Sequence, residues 1–303
     1  MASYNSIETV ALFQQACDQQ MIVGATSGWM EDNAGQVKYT GGREVKIPTI
    51  STSGLADYDR GAGYKKGKVA LTYQTETMNQ DRGISFLLDR IEVDESGFIA
   101  TATNTMSVFQ SEYVIPEIDA YRYSKLFQRI NADSSRVRTY TPDVSTIFST
   151  LNEDITAVRD KAGAVDLVII MDYLTADKLS ACKEFSRNIN VSQFRQGDVS
   201  TDVQTLNGTP ILRVPSERLK SAYTFKTGDA DEFGFAPTAE AKGINWIVCP
   251  RRAPIAVSKT DGVKIFDPQT TQGADGWTIE YRKMHDLWVT ENQLKAMRAS
   301  ISN

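Results

Sequence analysis

The residues best suited to chemistry are two neighbours, His285 and Asp286. His285 is the only histidine of the chain, and a carboxylate beside an imidazole can orient it as a general base. The pair lies in an alternating, strand-like stretch, however, where a histidine more often makes structural hydrogen bonds. The chain also lacks a Gly-x-Ser-x-Gly motif, a P-loop and a Gly-x-Gly-x-x-Gly motif. We therefore predict no catalytic residues, and an enzyme that uses His285 and Asp286 is the weaker alternative.

Carboxylates and cysteines are the remaining candidates for metal binding. Two acidic stretches, residues 89–95 and 229–232, carry oxygen ligands that suit calcium or magnesium, but neither has the spacing of a known metal-binding loop. The three cysteines, Cys17, Cys182 and Cys249, are far apart and odd in number. That pattern is typical of reduced, buried thiols and not of a disulfide framework. We expect neither a metal nor a cofactor.

The composition is that of a soluble globular protein, since 41% of the 303 residues are hydrophobic and 23% are charged. No apolar run approaches the about 20 residues of a membrane-spanning helix, and the N-terminus lacks the pattern of a signal peptide. The net charge of −5 argues against a dedicated nucleic-acid-binding protein, which must neutralise many phosphates. We expect no membrane contact and no sequence-specific DNA binding.

The elements that position these residues begin with a predicted β-ribbon in residues 63–95. Side chains alternate between two faces from Val69 to Thr77, and again from Ile84 to Leu88. An upstream run, residues 43–50, alternates in the same way, with Val45 on one face. The simplest structure is a long hairpin. Because isolated two-stranded hairpins are only marginally stable in water, this hairpin needs a covering partner.

The tip of the predicted hairpin is positively charged although the chain is acidic. Residues 43–68 contain six basic side chains against three acidic ones, and the glycine-rich stretch 52–67 connects the two strands. A solvated turn with scattered lysines is one interpretation. The other is a contact with an acidic surface, which such a tip would attract.

The middle of the chain predicts helices and a compact α/β unit. A long helix is predicted over residues 107–130, with Ser107 and Gln110 as a capping box and Pro116 as a kink or a second start. A second helix is predicted to begin at Thr141 and to end at Gly163. A buried strand (165–171), a helix (175–185) and a hairpin with an Asn-Gly turn (203–214) complete the unit at residues 135–240.

The C-terminal part predicts a return to β-strands. Apolar alternation marks residues 244–248, 255–257, 263–266 and 277–281, with turns predicted at Asp261-Gly262 and Asp275-Gly276. Thr290 and Gln293 have the spacing of a capping box that opens a last short helix.

Three stretches together resemble the major capsid proteins of tailed bacteriophages, which have the Hong Kong 97-like fold. They are LADYDRGAGYKKGKVALTYQTETMNQDRGISFLLDRIEVDE (residues 55–95), VIPEIDAYRYSKL (114–126) and AVSKTDGVKIFDPQTTQGADGWTIEYRKMHDLWV (256–289). The resemblance covers residues 38–130 and 240–300. The intervening segment is similar in the organisation of its predicted elements more than in its amino-acid sequence.

The resemblance implies an α+β chain divided into named segments. These are an N-terminal arm (1–36), an extended β-hairpin loop (37–79), a peripheral domain with a long spine helix (80–132), an axial α/β domain (133–242), and returning peripheral strands with a C-terminal helix (243–303). It further implies that the extended loop lies on a neighbouring subunit and contacts it through Tyr58, Arg60, Tyr64, Lys65 and Lys66. On the spine helix it points to Glu117, Asp119, Tyr121 and Arg122.

The function implied by the resemblance is structural. The chain would self-assemble through pentamers and hexamers into the icosahedral head of a tailed bacteriophage and enclose its double-stranded DNA, after assembly in the cytoplasm of the bacterial host. Because the arm begins close to Met1, the resemblance implies a separate scaffolding protein or an already processed start. A portal and decoration proteins are further expected partners. The alternative within the same fold is an encapsulin-type compartment shell that holds enzyme cargo.

Overall fold

The computed structural model describes residues 24–39, 42–61, 63–89, 105–186, 189–196, 199–229, 232–266 and 276–303. Within these ranges the strands are β1 (Lys38–Tyr39), β2 (Glu44–Thr52), β3 (Val69–Thr77), β4 (Gln80–Asp89), β5 (Val137–Thr139), β6 (Leu167–Asp172), β7 (Ile189–Gln196), β8 (Val199–Leu206), β9 (Thr209–Val214), β10 (Tyr223–Phe225), β11 (Phe235–Pro237), β12 (Ile244–Pro250), β13 (Ile255–Phe266), β14 (Gly276–Trp288) and β15 (Arg298–Ile301). The α-helices are α1 (Ile115–Asn131), α2 (Ile147–Ala162), α3 (Tyr173–Ser180), α4 (Lys183–Ser186) and α5 (Glu291–Leu294). The mixture confirms the predicted α+β class.

The largest sheet in the described part has the order β5-β15-β12-β6-β9-β8-β7. The pairs β15–β5 and β6–β9 are parallel, and the other neighbours are antiparallel. The predicted Asn-Gly hairpin is confirmed between β8 and β9, where Asn207 and Gly208 both have positive φ. Because β12 and β15 follow residue 240, strands from the C-terminal part complete the α/β unit that was predicted over residues 135–240.

Both faces of this sheet are covered, which explains the nearly continuous apolar sequence of β6. Val168 and Ile170 face one core together with α1, whereas Ile169 and Met171 face the other core together with α2 and α3. A strand that is buried on both sides has no need for polar alternation. The buried strand predicted in residues 165–171 is therefore confirmed.

Helix α1 joins one core of the central sheet to the core of the sheet formed by β13, β14 and β4. Its first turns, with Ile115 and Ile118, pack against the sheet of β13, β14 and β4, and its later turns, with Leu126, pack against the central sheet. The helix continues upstream through a π-turn (Gln110–Val114) to residues 105–109, so Ser107 lies inside a helix and its predicted capping role is wrong. Pro116 follows the π-turn directly, in the first turn of α1.

The predicted start of the second helix is wrong by about two turns. Helix α2 begins at Ile147 and not at Thr141. The Asp143 carboxylate accepts hydrogen bonds from the Ser145 N–H (2.9 Å) and hydroxyl (2.5 Å), and this local turn competes with helical backbone. The predicted end is confirmed, because Gly163 has a φ of 72°.

The turn predicted at Asp261-Gly262 is also wrong. Strand β13 runs through both residues, and Gly262 lies opposite Arg282 of β14. An Asp-Gly pair makes a turn only where the chain reverses, and here the neighbouring strand β14 continues the ladder on both sides. The second predicted turn begins at Asp275, which lies outside the described residues. The short helix predicted after Thr290 is confirmed as α5.

Cys182 and Cys249 are buried and neither is part of a disulfide, as predicted. Burial raises the pKa of the Cys249 thiol to about 12. Cys17 lies outside the described residues. None of the helices in the described ranges has the length and hydrophobicity that a bilayer crossing requires.

Candidate functional site

The predicted hairpin is present as a ribbon of β2 and β3, which pair antiparallel from Glu44 opposite Thr77 to Thr52 opposite Val69. We call these two strands and the connecting residues 53–68 the ribbon. Strand β4 follows immediately but belongs to a different sheet, in which it pairs with β14. The stretch predicted as one β region is therefore split between two sheets, and only β2 and β3 project as a hairpin.

The two faces of the ribbon have different environments. On one face Val45 and Ile47 are buried at the base of the ribbon against Met78 and Trp288. Residues directly opposite each other in an antiparallel pair share a face, so the other face carries Ile50, Val69, Leu71 and Tyr73. The exposed fractions of these four side chains are 66%, 75%, 53% and 47%, respectively. We call this set the apolar ribbon face. In the described part of the chain nothing covers it.

The tip is a small closed turn. The Gly63 N–H donates to the Asp59 carbonyl at 2.7 Å, and the Gly61 N–H donates to the Asp59 carboxylate at 2.7 Å. The rings of Tyr58 and Tyr64 contact each other, with centroids 4.9 Å apart. Their contact places both tyrosines on the same exposed turn.

The basic residues of the tip form no ion pair within the part of the chain that the structure describes. Arg60, Lys65 and Lys66 are all exposed. The structure thus places all five predicted loop residues on one exposed tip. Their contact with a neighbouring subunit stays a prediction.

The predicted spine-helix residues form two polar rows on α1. In the first row, spaced by four residues, Glu117 accepts two hydrogen bonds from Arg82 of β4 at 2.7 and 3.2 Å. Arg82 also donates to the carbonyls of Lys226 and Gly234, at the loop end of the β10–β11 hairpin. Arg82 therefore ties three elements together.

Tyr121 and Lys125 complete this row and both bind Asp286. The Tyr121 hydroxyl donates to Asp286 Oδ1 at 2.8 Å, and the Lys125 ammonium forms an ion pair with the same oxygen. The Asn79 N–H donates to the other oxygen, Oδ2, at 3.0 Å. Burial, together with the Asp286 charge, raises the pKa of Tyr121 well above its ordinary value.

The second row, Asp119 and Arg122, holds the residues that precede the ribbon. The fully buried Asp119 accepts hydrogen bonds from the Thr26 and Ser27 N–H groups at 3.1 and 3.0 Å. Arg122 forms an ion pair with Glu31. Since these contacts lie inside the subunit, the four predicted spine-helix residues position elements and are not an exposed surface.

His285 and Asp286 do not form a catalytic pair. The oxygens of Asp286 accept hydrogen bonds from other groups, and His285 is buried with its ring edge against Tyr121, with centroids 5.3 Å apart. Burial and the nearby charges of Arg122 and Lys283 hold the pKa of His285 well below its usual range. A buried neutral imidazole without access to substrate cannot serve as a general base.

The acidic stretches give no metal site in the part of the chain that is described. Asp229 accepts a hydrogen bond from Thr227, and Glu232 forms an ion pair with Lys226. No group of three or more histidine, cysteine, aspartate or glutamate side chains is arranged to hold a metal among the described residues. Residues 90–95 lie outside the description.

Sequence reasoning missed the role of Asp286 as an anchor, and those of Asn79, Arg82 and Lys125. One signal was present, because Glu117, Tyr121 and Lys125 recur at a spacing of four and so share one helix face. The spacing does not predict which groups this helix face binds.

No protein-family model and no curated protein sequence matches this chain. Solved structures do. A chain of the capsid of cyanophage P-SCSP1u is 11% identical, with a TM-score of 0.59 over 88% of this chain and 85% of that one. A chain of the mature capsid of bacteriophage PhiM1 is 12% identical, with a TM-score of 0.55 over 86% and 82%. A virus-like particle from Pyrococcus furiosus is 10% identical, with a TM-score of 0.52 over 98% and 100%.

These similarities extend over 86% to 98% of this chain. The chain therefore has the Hong Kong 97-like fold of phage capsid subunits.

Proposed function

We propose that this chain is a major capsid protein, a structural subunit that self-assembles into the icosahedral head of a tailed bacteriophage and encloses its double-stranded DNA. The observation that carries the proposal is the apolar ribbon face. A chain that buries its apolar residues on both sides of its central sheet nevertheless exposes four large ones in a row. Exposed apolar surface of this kind marks an interaction site, and the fold is that of subunits that assemble.

In this function the ribbon of one subunit lies on its neighbour, which covers the apolar ribbon face. Covering one leucine side chain stabilises the contact by about 1.5–3 kcal/mol, and the contact repeats in every subunit of a shell. The basic tip, with Arg60, Lys65 and Lys66, then meets acidic surface of the neighbour. Closed rings of five and six subunits require such head-to-tail contacts.

The finer organisation belongs to the same proposal. We propose for the arm (1–36), extended loop (37–79), axial domain (133–242) and peripheral segments (80–132 and 243–303) the roles that the resemblance implies. A separate scaffolding protein, a portal and decoration proteins are the proposed partners. Assembly takes place in the host cytoplasm and the product is the virion capsid. The acidic chain confines DNA without sequence-specific contacts.

The encapsulin-type compartment is the second candidate, since a virus-like particle from Pyrococcus furiosus is similar over 98% of this chain. That similarity is not greater than the similarity to the phage capsids, which have TM-scores of 0.59 and 0.55. Particles purified from infected or expressing cells distinguish the two. Packaged double-stranded DNA supports the phage head, and a single enclosed enzyme supports the compartment.

The proposal is tested by light scattering and negative-stain images of the expressed chain and of two variants. We expect closed shells, or rings of five or six, from the unchanged chain. Leu71→Asp places a charge on the apolar ribbon face and should leave a folded, unassembled subunit. Ala70→Asp places the same charge on the opposite face of the same strand and should still assemble.

Two results would contradict the proposal. One is an unchanged chain that stays monomeric even with its scaffolding protein co-expressed. The other is normal assembly of the Leu71→Asp variant, since the apolar ribbon face would then have no role in the contact.

A further inference from the structure

The direction in which the ribbon leaves the subunit is decided at a junction of two residues. Strand β3 ends at Thr77 and β4 begins at Gln80, yet the two strands belong to different sheets. Met78 and Asn79 therefore carry the chain from the ribbon into the body. Met78 is buried, and its N–H donates to the Arg43 carbonyl at 2.9 Å across the base of the ribbon.

The next residue, Asn79, is held by a buried charge. Its N–H donates to Asp286 Oδ2 at 3.0 Å, and Asp286 is fully buried in β14. The other oxygen, Oδ1, accepts from the Tyr121 hydroxyl, the Lys125 ammonium and the Leu287 N–H. A single carboxylate thus connects the ribbon junction, the sheet of β14 and helix α1.

A second carboxylate at the same junction, Asp81, is partly buried but pairs with arginines at the surface. Asp81 accepts hydrogen bonds from Arg282 at 2.9 and 2.7 Å and from Arg43 at 3.3 Å. The side chains of Arg43 and Arg282 are 62% and 63% exposed. Exposed pairs contribute little because water competes for both partners, whereas hydrogen bonds to a buried charge are strong and costly to leave unmade.

We propose that Asp286 is a positioning residue that fixes the angle between the ribbon and the subunit body, through the Asn79 N–H on one side and Tyr121 and Lys125 on the other. The surface pair at Asp81 does not do so. The consequence for assembly rests on the proposed function, because a ribbon held at one angle presents its apolar face to a neighbour in one geometry only. The anchoring itself is a property of the single subunit.

Substitution by asparagine tests the anchor without changing its shape. An amide has one oxygen and one NH2 group, so Asp286→Asn must turn its NH2 group toward the donors on one side. At a buried site no water replaces the lost acceptor. Asp81→Asn makes the same chemical change two residues beyond Asn79, at a carboxylate whose arginine partners are exposed, and is the matched control.

The measurement is amide hydrogen exchange of the full-length chain, followed in the ribbon base (residues 44–47 and 75–79) and in β6 as an internal reference. We expect exchange in the ribbon base to be about tenfold faster in Asp286→Asn, as the loss of a charge-assisted hydrogen bond implies. Exchange in β6 should be unchanged, and Asp81→Asn should resemble the unchanged chain. Tyr121→Phe removes one of the donors to Oδ1 and should give a smaller increase in the same residues.

Each outcome decides the proposal. Unchanged exchange in the ribbon base, or an equal increase in Asp81→Asn, overturns it. An increase that is equally large in β6 also overturns it, because Asp286 would then stabilise the whole fold and not the junction. If Asp286→Asn does not fold, Tyr121→Phe alone decides by the same comparison between the ribbon base and β6.

Assembly of the same variants separates this inference from the proposed function. If exchange is faster only in the ribbon base and shells become irregular or fail to close, both stand. If exchange changes as expected but the unchanged chain forms no shells at all, the anchor stands and the proposed function fails.

Discussion

His285 is a neutral imidazole held inside the protein, and this has a consequence for stability that depends on pH. Burial and nearby cations lower its pKa in the folded state, so the unfolded chain binds a proton there at a higher pH than the folded chain does. Stability therefore falls as the pH drops below about 6.5, by at most about 1.4 kcal/mol for each pH unit.

Because His285 is the only histidine, one substitution removes this effect. We expect His285→Gln to flatten the dependence of the unfolding free energy on pH between about 6.5 and 5, compared with the unchanged chain. Urea unfolding of unassembled subunits at several pH values measures it. Identical slopes in the two proteins would mean that His285 binds its proton at the same pH in the folded and the unfolded chain, which contradicts the lowered pKa.

At the scale of single residues, the sequence predicted the role of His285 but not that of Asp286. The strand-like setting of His285 favoured a structural role, and the structure places it in a buried position. The role of Asp286 was not predictable, because a carboxylate in an alternating stretch looks the same whether it is surrounded by water or by four donors of the protein.

At the scale of elements, two of the glycines in the sheet of β13, β14 and β4 have very different surroundings. Gly83 of β4 and Gly262 of β13 both lie opposite Arg282, on the two sides of β14. A Cβ at Gly83 would be 2.9 Å from the backbone carbonyl oxygen of Tyr281, whereas a Cβ at Gly262 would meet nothing within 4 Å.

We expect Gly83→Ala to destabilise the subunit by about 1–3 kcal/mol, since β4 must move away from β14 to admit the methyl group. Gly262→Ala, the matched control, should be neutral or slightly stabilising because it restricts the unfolded chain. Thermal unfolding of both variants measures the difference. Equal effects would show that β4 and β14 separate without cost.

Elements that depend on local pattern were predicted well. The hairpin of β2 and β3, the buried strand β6, the Asn-Gly turn and the long helix were all read from periodicity and turn chemistry. Errors came where a side chain redirected the backbone, as Asp143 does before α2, or where a turn signal lay inside a long ladder, as at Gly262.

At the scale of the whole molecule, charge distribution governs how subunits meet. The chain is acidic overall, with a net charge of −5, but its ribbon tip is basic. We expect reversal of Arg60, Lys65 and Lys66 to glutamate to abolish or strongly slow shell formation, because the tip would then repel an acidic neighbour. Light scattering during assembly measures this, and rising salt should weaken the effect.

The matched control reverses three exposed lysines outside the ribbon, Lys161, Lys264 and Lys295. Each reversal lowers the net charge by two, so both triple variants change it from −5 to −11. If the two assemble equally slowly, total charge is responsible and the tip has no specific contact. If the tip variant assembles normally, the predicted contact is wrong.

The sequence by itself determined the local properties of this protein: which stretches form strands or helices, which faces are apolar, and where the charge lies. These follow from neighbours a few residues apart. Only the tertiary structure decided that β3 and β4 part into different sheets, that strands from the C-terminal part complete the central sheet, and that Asp286 anchors the ribbon. The reason is distance along the chain, since Asn79 and Asp286 are 207 positions apart and no local pattern records which distant groups will share a buried charge.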